Sequence, residues 1–197
     1  MRLPAQIIPA NYFQRFTREE LFPTLQPLEV DLGCGDGRFL QSMAELFPQR
    51  NFLGVERLLG RVEKTARKIT DLGLTNARVL RLDSSYVVEW LLPERSVSRL
   101  HLLCPDPWPK KKHVERRMVN DPEFLDGLER ALAPGGEFLL KTDDEPYFLN
   151  ALESMATRSA FEQLEWPDGA FVYPKTSFER QWLEAEKTIW RARWRLQ

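Results

Sequence analysis

The chain has 197 residues, of which 43% are hydrophobic and 29% charged. That balance fits one globular domain with its own core and excludes a disordered or collagen-like chain. The 28 basic and 29 acidic residues almost cancel, so a polyanionic partner would have to be met by a local basic patch and not by overall charge.

In chain order, residues 1–25 read as an irregular N-terminal extension to a single domain spanning 1–197. The opening carries Pro4 and Pro9 and no long apolar run, so no signal peptide is expected. Thr17-Arg18-Glu19-Glu20 looks like a helix start capped by Thr17. A strand is predicted over 28–32, ending at Gly33, and a helix over 37–47, ending at Pro48. A strand follows over 52–56 and a helix over 58–72, stopped by Gly73. Next come a strand over 77–82, a short helix over 84–92 and a strand over 97–103. A helix over 121–132, a turn at Pro134-Gly135-Gly136, a strand over 137–141 and a helix over 145–158 complete the rhythm. Five strands alternating with helices at βαβ spacing predict an α/β fold: a doubly wound parallel sheet with helices on both faces. The tail switches to period two over 188–196. Trp190, Ala192, Trp194 and Leu196 share one side, and Arg191, Arg193 and Arg195 the other. That pattern predicts an edge strand with its apolar face inward. No stretch approaches the roughly 18 apolar residues of a membrane helix. Cys34 and Cys104 are too few for a disulfide scaffold, and the expected location is the cytoplasm.

Asp31-Leu32-Gly33-Cys34-Gly35-Asp36-Gly37 follows the first of these strands and opens a helix. Gly33 and Gly35 let the backbone turn tightly and approach a ligand. The dinucleotide fingerprint wants Gly or Ala where this chain has Arg38, so the loop fits a pyrophosphate poorly. Four strands in succession end at or near an acid: Asp31, Glu56, Asp83 and Asp106. Ligands bind beyond the carboxyl ends of such sheets, so the four are expected to converge. Glu56 can accept from ribose hydroxyls and Asp83 from an exocyclic amine. Such a ring repels a pyrophosphate and attracts a cationic nucleoside, which favours S-adenosyl-L-methionine over NAD. Taken alone, Asp83 also reads as a helix N-cap. Cys34 and Cys104 close two strands and read as small, half-buried residues.

Residues 104–119 begin Cys-Pro-Asp-Pro-Trp-Pro-Lys-Lys-Lys-His. Three prolines in five positions make a rigid loop. It holds the carboxylate of Asp106 and the flat ring of Trp108, and five basic residues follow. An acid, an aromatic plate and a cationic strip suit a base presented on a phosphate backbone. Here the chain resembles the bacterial-type tRNA (guanine-N7)-methyltransferases. The resemblance rests on Pro105-Asp106-Pro107-Trp108-Pro109-Lys110-Lys111, Arg116-Arg117, Thr142-Asp143 before Glu145-Pro146-Tyr147, and Thr176-Ser177-Phe178-Glu179. It covers roughly residues 28 to 195. It implies the class I methyltransferase fold, Rossmann-like with a C-terminal antiparallel strand. It also implies S-adenosyl-L-methionine as cofactor, tRNA as partner, and a product 7-methylguanosine at position 46 of the tRNA variable loop. Asp31, Glu56, Asp83 and Asp106 match its cofactor-contacting acids, and Asp106 also its active-site acid. Lys110, Asp143, Thr176, Phe178 and Glu179 match substrate-binding positions. No metal is implied. Two positions depart from the family pattern: Asp31 stands where Glu is usual, and Ser177 where Lys is common.

Guanine N7 carries a free lone pair, so no proton need leave it. Asp106 is therefore expected to position the base and stabilise its developing charge, and not to act as a general base. Asp143 or Glu179 can accept from guanine N1–H and the N2 amine. The plainer readings are a capping box for Thr176 and Glu179, and an N-cap for Asp143. His101 reads as a packed core residue and His113 as a surface one. Three basic stretches stand out: 110–117, 187–195, and Arg57, Arg61, Lys64, Arg67 and Lys68 against Glu63. Each reads singly as a solvated face. Other readings stay open. They are the same fold acting on another RNA or a small molecule, a non-catalytic RNA-binding module, and, less well fitted, an NAD-dependent oxidoreductase. Monomer and homodimer are both open.

Overall fold

In this computed structural model the described residues are 4–108 and 111–197, with backbone alone over 111–113. The elements run β1 (Gln6–Ile7), α1 (Arg18–Leu21), β2 (Leu28–Leu32), α2 (Arg38–Leu46), β3 (Asn51–Val55), α3 (Leu59–Asp71), β4 (Ala77–Leu80) and α4 (Ser84–Tyr86). They continue β5 (Val97–Leu103), α5 (Pro122–Ala131), β6 (Leu132–Thr142), α6 (Glu145–Ala156), β7 (Phe161–Leu164), α7 (Ser177–Glu184) and β8 (Trp190–Leu196). A π-helical turn, Val87–Leu91, extends α4, and a 3₁₀ turn spans Lys111–Arg116.

The eight strands form one sheet in the order β1-β4-β3-β2-β5-β6-β8-β7. Neighbours from β1 to β6 pair in parallel, and β8 runs antiparallel to both β6 and β7. The chain winds outward from β2 in one direction through β3 and β4, then in the other through β5 and β6. The switch point, where ligands of such sheets bind, lies between the carboxyl ends of β2 and β5.

The doubly wound expectation holds, with three differences. β1 and β7 were not expected, because two- and four-residue strands leave almost no periodic signal. The turn at Pro134–Gly136 lies inside the longer β6. Pairing there jumps from Val97↔Leu132 to Arg99↔Glu137, so residues 133–136 bulge out. The tail strand β8 is not an edge. β7 covers it, while Trp194 stacks on Phe138 with ring centroids 5.4 Å apart. The edge falls to β7, whose Glu162 and Gln163 are exposed.

The two faces of the sheet differ in chemistry. On one, Val30, Leu32, Leu53, Leu80, Leu100, Leu102, Phe138 and Trp194 pack with Leu21 of α1, Phe124 and Leu128 of α5, and Ala151 and Met155 of α6. On the other, α2 and α3 cover β3 and β4 through Phe39, Met43, Val62 and Ile69. The rest of this second face is charged. Glu29, Arg99, Glu137 and Arg195 stand in register across four neighbouring strands, with alternating sign. Opposite charges on paired strands support one another. Over them lies an aromatic cluster of Trp166, Phe171 and Tyr173, with the Arg99 and Arg193 guanidiniums against the Phe171 ring.

Candidate functional site

The glycine loop joins β2 to α2 at the switch point. Gly33, Gly35 and Gly37 all have φ between 58° and 73°, a region that side-chain-bearing residues occupy at a cost. The Gly35 N–H donates to Glu56 Oε2 (3.1 Å), which fastens the loop to the end of β3. Glu56 also accepts from Leu58 N–H (2.9 Å), and Arg61 lies 3.6 Å away.

A cavity of about 200 Å³ opens beside this loop. Asp31, Gly33, Gly35 and Arg61 line one side, and Thr176, Ser177 and Phe178 the other. Asp31 sits at its floor, 4% exposed, and Asp31 Oδ2 is buried without a hydrogen-bond partner among the described residues. Burial, with Glu56 adding, pushes the Asp31 carboxyl up to about 7. A buried acceptor of this kind suits a cationic or N–H-bearing ligand group.

Of the four strand-end acids, Asp31 alone lines this cavity; Glu56, Asp83 and Asp106 do not. Asp83 caps α4, its Oδ1 accepting from Ser85 and Tyr86 N–H at 3.0 and 3.3 Å, so the N-cap reading describes it. Asp106 follows β5 in the proline loop. Its side chain is 76% exposed, 3.9 Å from the Arg57 guanidinium. The loop is strained at both ends, with φ of 51° at Cys104 and 46° at Trp108. For residues carrying a Cβ, such angles cost about 1–2 kcal/mol each, and they cluster where structure serves a site.

Arg117 holds this loop. Only 4% exposed, it donates to the Pro107 carbonyl (2.9 Å) and the Pro146 carbonyl (3.0 Å), reaches Asp144 at 3.4 Å, and lies over the Tyr147 ring. Its place in a basic run had suggested a solvated cation. The fold instead wraps α6 around it, because bound loop carbonyls need a buried donor. Arg116 lies over the Trp108 ring, 5.3 Å from its centroid. Lys110 lies outside the described residues, as does the His113 side chain.

Asp143 is not a helix cap. The cap of α6 is Asp144, which accepts from Tyr147 N–H at 2.7 Å. Asp143 is partly buried and pairs with Lys187 at 3.2 Å. Thr176 caps α7 by accepting from Glu179 N–H at 3.0 Å, but the Glu179 side chain does not return the bond. It reaches Lys141 instead, at 2.7 Å, in a pair buried on both sides. Glu179 therefore faces the sheet and not the cavity, because burying Lys141 requires an opposite charge. Phe178 is half exposed at the cavity mouth, and Ser177 Oγ lies 3.4 Å from Asp36 Oδ1.

His101 is packed in the core, 1% exposed, between Glu29 Oε2 (2.8 Å) and the Tyr173 hydroxyl (2.6 Å). Neutral imidazole satisfies both: Nε2–H donates to Glu29, and Nδ1 accepts from Tyr173. Burial lowers the His101 pKa, consistent with that form. Burial alone would raise Glu29, but His101, Arg99 and Arg50 outweigh it and hold the carboxylate at about 2. Cys34 and Cys104 are free thiols whose pKa values burial pushes up, Cys104 to about 12. The tail arginines do not form a free basic patch either: Arg193 is tied to Glu137 and Arg191 to Asp168. Asp36, Lys141 and Tyr173 were missed as parts of this region. Asp36 alone had a signal, its place inside the glycine loop.

Among the described residues no helix is long and apolar enough to cross a membrane, and no His/Cys/Asp/Glu group is arranged to hold a metal. A family model described as putative methyltransferase matches residues 25–192. The tRNA (guanine-N(7)-)-methyltransferase of Geobacter metallireducens is 33% identical over 75% of this chain and 70% of that protein. That of Hydrogenovibrio crunogenus is 32% identical over 86% and 72%. The enzyme of the same name from Syntrophotalea carbinolica is 38% identical over 64% of this chain, which spans only about half of it, 54%. Among solved structures, the aminoglycoside resistance methyltransferase NpmB1 superposes with a TM-score of 0.63 at 22% identity, covering 93% of this chain and 95% of that one. The 16S rRNA methyltransferase KamB gives 0.64 at 20% identity over the same shares. These two likenesses establish the fold.

Proposed function

The chain belongs to the tRNA (guanine-N(7)-)-methyltransferase family, and on that premise we propose that it transfers a methyl group from S-adenosyl-L-methionine to N7 of a guanine in the tRNA variable loop, forming 7-methylguanosine. One observation carries the reading: an exposed carboxylate, Asp106, on a rigid proline loop beside a cavity whose floor holds the orphaned oxygen of Asp31. The residues present fit the cofactor. Asp31 would take its ammonium group, the Gly33–Gly35 backbone its methionine portion, Glu56 its ribose hydroxyls and Asp83 the adenine amine. When bound, this cofactor supplies an electrophilic methyl on a sulfonium.

The protein's own work is then orientation and charge. Asp106 would hold the guanine with N7 facing the methyl and offset the positive charge the base acquires. No group need remove a proton from N7. Asp143 would accept from guanine N1–H and the N2 amine and so reject adenine, which lacks that donor pattern. Glu179, paired with Lys141, would act through α7, while Thr176 and Phe178 bound the cavity. Lys110 would meet phosphate. We read the chain as one cytoplasmic methyltransferase domain.

The test is methyl transfer from labelled S-adenosyl-L-methionine to bulk tRNA, followed by nucleoside analysis. Label in 7-methylguanosine supports the reading, and label in another nucleoside overturns the choice of atom. Asp106→Ala should reduce turnover about 10²–10³-fold with cofactor affinity within a few fold. Near-normal turnover in that variant would remove Asp106 from the mechanism.

A further inference from the structure

The basic stretch over 57–68 is not absorbed by the site as built so far. Arg57 follows β3, and Arg61, Lys64 and Lys68 lie at i, i+3 and i+7 along one flank of α3, with Arg67 beside them. Arg57, Arg61, Lys64 and Arg67 are exposed, while Val62, Thr65 and Ile69 hold the opposite flank in the core. The flank starts at the site itself: Arg57 is 3.9 Å from Asp106, and Arg61 lines the cavity. It then runs away along α3 for on the order of 10 Å, about three phosphates of a single strand.

The acids on hand neutralise it only at the site end, where Asp106 lies 3.9 Å from Arg57 and Glu56 3.6 Å from Arg61. Asp36 takes Arg38 of α2 at 3.0 Å and lies 3.9 Å from Lys68, whose ammonium donates to the Asp36 carbonyl at 2.7 Å. Glu63 is the one acid within residues 57–68. Among the described residues, Lys64 and Arg67 have no ion pair within 4 Å. The cations also disfavour one another. Burial lowers the Lys68 pKa, and Lys64 and Arg38 add to that against the pull of Asp36. Like charges gathered on one surface at a site edge are relieved by a polyanion.

We propose that this flank of α3, from Arg57 through Arg61 and Lys64 to Arg67, is the track on which the phosphate backbone of the substrate tRNA docks as its guanine enters beside Asp106. The inference rests on the tRNA methyltransferase reading and adds the surface that reading leaves unassigned. Arg117 is buried and Arg193 is held by Glu137, so neither serves in this role.

The experiment compares Lys64→Glu/Arg67→Glu with the parent enzyme. Both residues are exposed and outside the catalytic machinery. We expect KM for tRNA to rise at least about tenfold at physiological salt, with kcat at saturating tRNA and cofactor affinity unchanged. The slope of log tRNA affinity against log salt should flatten by about 1.4–1.8, the loss of two phosphate contacts. Parental KM and parental slope in a folded variant would overturn the track. Parent enzyme that methylates tRNA normally keeps that result separate from failure of the function. Parent enzyme that forms no 7-methylguanosine would overturn the function and, with it, the stated partner.

Discussion

Lys141 Nζ lies 2.7 Å from Glu179 Oε1, fastening the end of β6 to the first turn of α7. Trp166 and Tyr173 rings close over the ammonium, 5.4 and 4.8 Å from it. Because Thr176, Ser177 and Phe178 line the cavity, this buried pair sets where one cavity wall stands. The pair acts as a latch on a segment otherwise held by aromatic contacts.

Removing one partner leaves a charge buried alone, which costs about 3–5 kcal/mol. Glu179→Ala should lose stability on that scale in urea denaturation and weaken cofactor binding. Replacing both, as Lys141→Met/Glu179→Leu, should recover most of the stability, since no charge is then stranded. A single variant that unfolds at the parental urea midpoint would show that the pair contributes nothing.

Asp31 gives the cofactor-free protein a pH-dependent stability. Its carboxyl is raised to about 7 in the folded state from its ordinary value of 3.8. Between those values the folded state binds the extra proton, so stability is full below about pH 4 and declines as pH rises through 7. The contribution is on the order of 4 kcal/mol. Glu29, held at about 2, works the other way: its contribution is present above about pH 4.5 and lost as pH falls toward 2. Denaturant titrations across pH 4–8 should show the decline, and Asp31→Asn should flatten it. An equal decline in that variant would place the effect elsewhere.

Arg117 should govern turnover more than affinity. Arg117→Lys keeps the charge but loses the fork that spans the Pro107 and Pro146 carbonyls. A loop displaced by about 1 Å should slow single-turnover methyl transfer on the order of 100-fold, with cofactor affinity unchanged by calorimetry. A rate within twofold of the parent would mean that the prolines alone hold Asp106.

Gly37 is needed for packing as well as for its φ of 73°. A Cβ there would come 2.5 Å from both Cγ2 and Oγ1 of Thr65, a buried residue of α3. Gly37→Ala should cost roughly 1–3 kcal/mol by thermal denaturation. A melting temperature equal to the parent's would show that α3 gives way freely.

Much of the site was legible because its chemistry is local. The glycine loop, the strand-end acids and the prolines around Asp106 lie within a few residues of the turns they build. The capping box failed for the opposite reason. Thr176 and Glu179 have the right spacing, but Lys141, 38 residues away, takes the carboxylate. Arg117 looked solvated among its basic neighbours until α6 brought Pro146 and Asp144 around it. β8 read as an edge because its partner β7 is too short to announce itself.

The sequence by itself determined the doubly wound order of elements and placed Asp31 and Asp106 at strand ends, since periodicity and turn chemistry act over single elements. Only the tertiary structure decided which charges are sheltered and which face water. His101 meets Glu29 and Tyr173 across 72 residues each way along the chain, and Arg193 meets Glu137 across 56. Whether a charge is buried depends on partners that distant, and a charged residue looks the same in a sequence whether its partner is a carboxylate or the solvent.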